Sequence, residues 1–570
     1  MFSLVGLLGF KKKIFFSILI LSSIFASLLE IIGLGLLIPI VSSLFDNTFY
    51  LKFNEYSIKY DLPEFTSQSF LFFCIILLPL VFIFKNLFLF FFHKIEANLI
   101  YNTLTEFSKK IYKIFLTQKY SFYVNENSSN FVNKLGSEFN NLHNYIIASV
   151  SFFTEIIILF ALLFFLLFIA FEEIIIIFLV VLISTFIFYL IFYKKIKNFG
   201  ALRKKFDLKK TNLILETLKG IKEIKIYKRE RIFEKNYNIN NELIYIFGKK
   251  YYVLQKIPKL FFEVISILTL SIFLFVLLSY NEPSEIIIKL TVVAGAIIRI
   301  LPSLNKVINN FNIRKYSLPA VKDIFKFIRR LKIKSDISKK DRIRSFENKI
   351  LIKKVRFSHK NKKETQQIFE NLNFSLKKGE KISIMGDSGS GKSTLIDLIL
   401  GFLKPDNGKI TFDNVSVKNQ YLDNIISYCP QSIHVFDTSI EKNISLESQL
   451  KRIDIKKINK IKKICFLNNF LSKKKNDQNF FGESGSKISG GQKQRIGIAR
   501  ALYFNPKILI LDESFNAIDV KTAKKIFENI LKNYPKLTII LITHSKILAN
   551  LSQKIYTLSN KKLKLSSVLS

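Results

Sequence analysis

Cysteine is scarce. The 570 residues contain three, Cys74, Cys429 and Cys465, with no paired spacing, so there is neither a disulfide framework nor a thiolate zinc site. Any metal is therefore held by oxygen. Carboxylates are outnumbered: 43 Asp and Glu stand against 86 Lys and Arg, a formal charge of +43. A charge of this size is the footprint of a nucleic-acid binder, but the excess is mostly lysine and arrives with abundant isoleucine, phenylalanine and asparagine. Those four residues share A/T-rich codons, so base composition alone generates the pattern. No nucleic-acid partner is assigned. Long apolar runs are missing from the C-terminal part, because almost all of them lie before about residue 305.

Hydrophobic residues make up 49% of the chain and charged residues 23%, and the mean hydropathy is positive. Disorder and small secreted disulfide scaffolds are excluded. The apolar and charged residues are segregated along the chain, with no internal repeat, which gives one membrane unit and one soluble module. Candidate spans are 14–45, 70–92, 145–171, 174–193, 260–280 and 285–301. Each is long enough to cross or nearly cross a ~30 Å apolar layer at ~1.5 Å per residue. The first is far longer than the core of a cleaved signal peptide. Phe171, Glu172 and Glu173 alone separate the third from the fourth, which predicts a tight turn there, while Lys289 and Arg299 interrupt the sixth.

Loop charges orient the set. Lys11, Lys12 and Lys13 precede the first span, and residues 194–259 are dense in Lys and Arg. The short loops on the other side carry Glu172, Glu173 and Glu282, although the longer segment 46–66 holds Lys52 and Lys59. The positive-inside rule then places both termini and the soluble module in the cytoplasm. The two long cytoplasmic connections read as helices continuing out of the membrane, since apolar residues recur at helical spacing through 213–227. The domain reading is 1–329 membrane domain, 330–349 basic linker and 350–570 soluble module.

Ile382, Ser383, Ile384 and Met385 form a short apolar strand running into Gly386, Asp387, Ser388, Gly389, Ser390, Gly391, Lys392, Ser393 and Thr394, followed by a helical pattern. This is a phosphate-binding loop in its strand–loop–helix setting. Its glycines let backbone N–H groups turn inward around phosphate, and the helix N-terminus adds positive potential. Lys392 reaches the terminal phosphates and Ser393 ligates Mg2+. A second apolar strand, 508–511, ends in Asp512 and Glu513. Asp512 belongs to the Mg2+ shell, and Glu513 orients or deprotonates an attacking water.

Between these lies Lys487-Ile488-Ser489-Gly490-Gly491-Gln492, which resembles the LSGGQ signature of the ATP-binding-cassette (ABC) family with Ile488 for Leu. The resemblance extends to Gln431 as the Q-loop, where it would join the metal shell and link it to the membrane half. It also covers Asp519 as the D-loop and His544 as the switch histidine. Two departures stand out. His359 occupies the place where the family sets an aromatic residue against adenine, and Ser514-Phe515-Asn516-Ala517 replaces the usual approach to the D-loop. The catalytic set implied is Glu513, His544, Gln431 and Lys392, with ATP and Mg2+ as the ligands. The fold implied is an all-α transmembrane domain of six helices with long cytoplasmic extensions, followed by an α/β P-loop NTPase cassette.

Fusion of membrane part before cassette resembles the exporter type. One cassette per chain implies a dimer with two composite sites, a homodimer being simplest and a heterodimer allowed. The length of segment 46–66 and the phrase 299–305 resemble lipid-linked oligosaccharide flippases. The function implied is ATP-driven export or flipping of an amphipathic substrate, a lipid-linked saccharide, in a bacterial cytoplasmic (inner) membrane. The alternative is export of drugs, peptides or lipid A-like lipids. Lys85, Lys259 and Arg299 sit in or beside apolar segments. They either pair with Glu30, Glu155 or Glu263 or snorkel, or they form a phosphate-binding patch on the cavity wall.

Overall fold

The computed structural model describes residues 10–45, 48–60, 65–169, 171–280, 283–334, 345–360, 365–417, 425–468 and 481–566. The middle of the expected linker, 335–344, lies outside them. The chain divides into two compact units, Met1–Gln118 with Asn125–Ile333, and Lys119–Val124 with Lys334–Ser570.

The first unit is helical. Its long helices are α1 (Phe10–Gly35), α2 (Ser67–Leu116), α3 (Ser137–Ile169), α4 (Phe171–Lys219), α5 (Glu230–Tyr280) and α6 (Pro283–Lys334). With 50 residues, α2 is ~75 Å long at ~1.5 Å per residue, against ~30 Å of hydrocarbon, so more than half of it continues beyond the apolar layer. Large apolar side chains such as Phe72, Ile76, Phe164, Phe168, Leu260 and Phe275 are more than half exposed. Water penalises that surface and lipid does not.

Expected spans 70–92, 174–193, 260–280 and 285–301 are helical throughout. Among the described residues, five helices are long and apolar enough to cross a membrane. Much of the side-chain structure of 285–301 is outside the described residues. One expectation is corrected: Phe171, Glu172 and Glu173, where a tight turn is expected, are the helical start of α4, and residue 170 lies outside the described residues. Glutamates are favoured in a first helical turn, where the dipole is positive, so they open a helix more readily than they interrupt one.

Local chemistry fixes the ends and crossings. Thr66 and Ser69 form a capping box at the start of α2, and Asn54 bonds both the N–H (3.2 Å) and the C=O (2.9 Å) of Phe65. A Cβ on Gly200 of α4 would lie 2.1 Å from the carbonyl oxygen of Tyr316 in α6. Only glycine permits that backbone-to-backbone approach.

Among the described residues, the second unit has two sheets. Strands β1 (Lys349–Lys360), β2 (Thr365–Lys377), β4 (Asn407–Phe412) and β5 (Val415–Ser416) form an antiparallel sheet in the order β2-β1-β4-β5. The larger sheet comprises β3 (Lys381–Met385), β6 (Ile426–Cys429), β7 (Ile508–Asp512), β8 (Thr538–Ile542), β9 (Lys554–Ser559) and β10 (Lys562–Ser566). Its order is β10-β9-β3-β8-β7-β6, parallel except for β10. Every residue of β7 and β8 is buried, and alternation sends neighbours into opposite cores. Ile508, Ile510, Ile540 and Ile542 pack with α7 (Lys392–Ile399). Leu509, Leu511, Ile539 and Leu541 pack with α8 (Gly490–Tyr503) and α9 (Val520–Asn533). An uninterrupted apolar strand is what a sheet covered on both faces requires. The short helix Tyr120–Asn125 brings Tyr120 into this unit, its ring stacked on Phe402 at 4.5 Å and 28°.

Candidate nucleotide site

The sheet order gathers the site. Strands β3, β8, β7 and β6 are successive parallel neighbours, and their C-terminal ends release the phosphate loop, His544, Asp512 with Glu513, and Gln431 respectively. Such ends are where open parallel sheets bind ligands.

Gly389 and Gly391 have φ of 80° and 102°, which glycine adopts without strain. A Cβ at Gly391 would meet Ile368 at 2.7 Å. The Lys392 ammonium donates to the carbonyls of Gly386 (2.8 Å) and Asp387 (2.9 Å), which holds it inside the loop. Ser390 Oγ is buried without a hydrogen-bond partner, and a phosphate oxygen would satisfy it. Asp387, Ser388, Gly389 and Ser393 are exposed, and Thr394 is half-buried. His359, on β1, lies with Nε2 3.4 Å from Thr394 Oγ1, next to the loop.

Glu513 sits just past β7 with φ of 49°, a left-handed conformation that costs a non-glycine residue ~1–2 kcal/mol. Three side chains hold its carboxylate. Gln431 Nε2 donates to Oε2 at 2.8 Å, Asn516 Nδ2 donates to the same oxygen at 2.9 Å, and His544 Nε2 stands 3.3 Å from Oε1. With its amide nitrogen engaged, Gln431 still has its carbonyl oxygen to offer a metal.

Asp512 is 4% exposed and accepts from the Tyr428 hydroxyl at 3.0 Å. Burial raises its pKa, Tyr428 opposes the rise, and the neighbouring Glu513 carboxylate adds to it. Asp397 on α7 is pushed up to about 6 by burial and by the charge of Asp512. Lys392 also draws the pKa of Asp512 down, and a hard divalent cation on oxygen donors would lower the pKa of both carboxylates further. Asp512, Ser393 and Gln431 would supply those donors.

The signature forms a cap. Ser489 Oγ accepts from Gln492 N–H (3.3 Å), and Gln492 Oε1 accepts from Ser489 N–H (2.9 Å), a reciprocal capping box. Gln492 is thereby a helix-cap residue within its own cassette. The structure puts Ile488 against the hydrophobic core, which explains why Ile serves for Leu. A Cβ on Gly491 would lie 2.7 Å from the carbonyl of Ala517, so the D-loop approach packs directly on the signature. Asp519 caps α9 by accepting from Thr522 N–H at 2.9 Å.

Three supporting residues were not singled out from sequence. Gln494 accepts from Ala517 N–H (2.7 Å) and donates to the Glu513 carbonyl (3.3 Å), tying α8 to the end of β7. Tyr428 steadies Asp512, and Asn516 steadies Glu513. Asn516 carried a signal as a departure from the family pattern, whereas Gln494 and Tyr428 act through tertiary register.

Two of the three membrane-half cations have described side chains. Lys85 is buried, its Nζ 3.6 Å from Glu30 Oε1 and 4.3 Å from the Phe82 ring centroid. Lys259 is exposed, and the side chain of Arg299 is outside the described residues.

A sequence profile for ABC transporters matches residues 369–516, and one for the ABC transporter transmembrane region matches residues 14–301. An ATP-dependent lipid A-core flippase of Wigglesworthia glossinidia brevipalpis is 30% identical over 362 residues, 61% of this chain and 60% of that protein. A probable multidrug resistance ABC transporter of Bacillus subtilis (strain 168) is 37% identical over 32% of this chain and 31% of its own length. An alpha-hemolysin translocation ATP-binding protein of Escherichia coli is 37% identical over 34% and 28%. The aligned part thus spans at most 60% of these relatives. The fold is that of a bacterial Atm1-family ABC exporter solved with ATP bound, at a TM-score of 0.77 and 17% identity over 97% of this chain and 96% of that one. Transmembrane region and ATP-binding cassette follow one another in a single polypeptide, and the chain belongs to the ABC transporter family.

Proposed function

We propose that the chain is an ATP-driven exporter or flippase of an amphipathic substrate, acting as a pair of identical chains in a bacterial cytoplasmic membrane with its cassettes and termini inside. The observation that carries this is the Glu513 carboxylate, held by Gln431, Asn516 and His544 at the end of β7 beside the phosphate loop. It belongs to a chain whose other half exposes helices of bilayer length.

Phosphoryl transfer to water needs positioning and neutralisation of charge. On nucleotide binding the Lys392 ammonium exchanges loop carbonyls for terminal phosphate oxygens. Mg2+, when bound, adds positive charge at the phosphates. Glu513 orients the attacking water and takes its proton, and His544 is free to contact the terminal phosphate because its side chain is 50% exposed. Gln431 holds Glu513 through its Nε2 and can offer its carbonyl oxygen to the metal, so the same side chain links the base to nucleotide arrival. The capping box consumes the N–H of Gln492 and leaves those of Gly490 and Gly491 for an anion at the start of α8. In the pair, that anion is the ATP of the partner cassette.

The substrate reading is a lipid-linked saccharide, with drugs, peptides or lipid A-like lipids as the alternative. Reconstitution in liposomes decides between them. Undecaprenyl-pyrophosphate glycans should stimulate ATP hydrolysis more than lipid A or hydrophobic drugs do. The reverse order assigns the alternative, and no ATP hydrolysis under any condition refutes both.

A further inference from the structure

Two cavities in the first unit share a wall. One, of about 470 Å³, lies among α3, α4 and α6 and is lined by Phe152, Phe160, Phe186, Tyr189, Tyr193 and Phe311. The other, of about 750 Å³, is lined by Tyr193 again and by Lys194, Lys197, Lys204, Lys205 and Lys322. They meet at Tyr193. The first has the apolar wall and volume of a site for a greasy ligand, within the ~300–1,000 Å³ usual for such pockets. The second sets five lysines against one carboxylate, Asp323, which Lys204 already pairs.

The junction is not purely apolar. Asn312 lines the aromatic cavity at 1% exposure, and its Nδ2 is buried with no hydrogen-bond partner. A buried amide donor left unsatisfied is costly, so an acceptor oxygen on a bound molecule would answer it. Lys315 stands 4.4 Å from the Tyr193 ring centroid and 4.9 Å from that of Phe311, which adds a cation beside two rings of the same wall. Along α4 the sequence turns from the apolar run 174–193 to Lys194, Lys195 and Lys197 at this level. Tyr189 and Tyr193 sit where interfacial tyrosines anchor a helix to the headgroup layer. The aromatic cavity therefore lies at hydrocarbon depth and the lysine cavity at headgroup depth.

From this arrangement we infer that α3, α4 and α6 of one protomer form a loading site for an amphiphile with a multiply charged, phosphate-type headgroup. Its chain occupies the aromatic cavity, an acceptor oxygen meets Asn312, and its anionic head lies among Lys194, Lys197 and Lys322. Charge complementarity selects an anionic lipid, and the depth match lets it enter from the leaflet on the basic side without inverting. This inference rests on the exporter reading and narrows its substrate to anionic lipids.

The test uses a feature of the composition: the chain has no tryptophan. Phe186→Trp in the full-length protein therefore places a single fluorophore on the aromatic wall. In phosphatidylcholine nanodiscs without ATP, phosphatidic acid with brominated chains should quench it at concentrations at least ~10-fold lower than equally brominated phosphatidylcholine. Lys194→Gln, Lys197→Gln and Lys322→Gln combined should remove that preference, and the corresponding Arg triple should retain it. Equal quenching by the two lipids in the otherwise unaltered chain overturns the inference, whatever the triple variants do. So does a preference that survives the Gln triple. ATP-driven translocation of a fluorescent phosphatidic acid is measured separately on the same protein. Selective quenching without translocation leaves the site standing and refutes the export of this lipid, whereas translocation without selective quenching refutes only the site.

Discussion

Replacement of Glu513 by glutamine isolates charge from shape. The side chain is isosteric, and its amide oxygen can still accept from Gln431 and Asn516, which now stand 2.8 and 2.9 Å from Oε2. What is lost is the negative charge and the base. General-base contributions of ~10²–10⁴ in rate correspond to ~3–5 kcal/mol at ~1.4 kcal/mol per decade, so Glu513→Gln should hydrolyse ATP at least ~100-fold more slowly. Mg-ATP affinity should change little, because Lys392 and the loop N–H groups carry binding. Nucleotide should then lock two chains together, read as a dimer by size-exclusion chromatography. Asn516→Ala is the companion. It removes one hydrogen bond to a charged group, worth ~1.5 kcal/mol, and should slow turnover ~10-fold while leaving the pH profile of kcat unchanged. Steady-state ATPase assays on purified protein check both. Turnover of Glu513→Gln within tenfold of the parent would show that the carboxylate is not the water-handling group. Equal losses in the two variants would show that Glu513 matters for geometry and not for charge.

Breaking a buried ion pair on one side costs ~3–5 kcal/mol, while replacing both partners is often neutral. Lys85→Met alone should therefore lower the thermal stability of the detergent-solubilised protein, and Lys85→Met with Glu30→Leu should recover most of it. A double variant no better than the single one refutes the pairing role. For topology, a cysteine at Glu55, in a background lacking the three native ones, should react with an impermeant thiol reagent on intact cells, and one at Lys228 should not. External labelling at Lys228 reverses the orientation. Burial and the charge of Asp512 raise the pKa of Asp397 to about 6 from an ordinary 3.8. Between those values the folded state holds a proton that the unfolded chain has released, so this group's contribution to stability falls as pH rises from about 4 to 6. The nucleotide-free melting temperature of Asp397→Asn should fall less across that window than the parent's, and identical slopes would refute the shift.

The cassette was legible because its chemistry is local. The loop 386–394, the apolar runs ending at Met385 and Asp512, and the Ser-Gly-Gly-Gln string each carry their own spacing, and parallel pairing of β3, β8 and β7 follows from strands apolar on both faces. Gln494 and Tyr428 were not legible. Their roles depend on which strand end lies opposite which helix, and no periodicity encodes that. In the membrane half, hydropathy found the helices but not the start of α4 at Phe171, because glutamates read as loop residues are equally at home in a first helical turn. The partner of Lys85 was open for a similar reason: Glu30 lies 55 positions earlier, and only the packing of α1 on α2 brings them together.

The contact at Gly200 has a mechanical consequence. At Gly200 itself α4 meets α6 backbone to backbone, with the Tyr316 carbonyl filling the place of a side chain, so no rotamer at that point absorbs sliding. It behaves as a fulcrum. Some 29 residues of α4 lie on one side of Gly200 and 19 on the other, arms of ~44 and ~29 Å at ~1.5 Å per residue. A rocking of about 10° would carry the far end of the longer arm through ~8 Å while Tyr193, only ~10 Å from the pivot, moves by ~2 Å. Large displacements at the remote end of the helix are thus compatible with a nearly stationary wall at Tyr193, where the two cavities join.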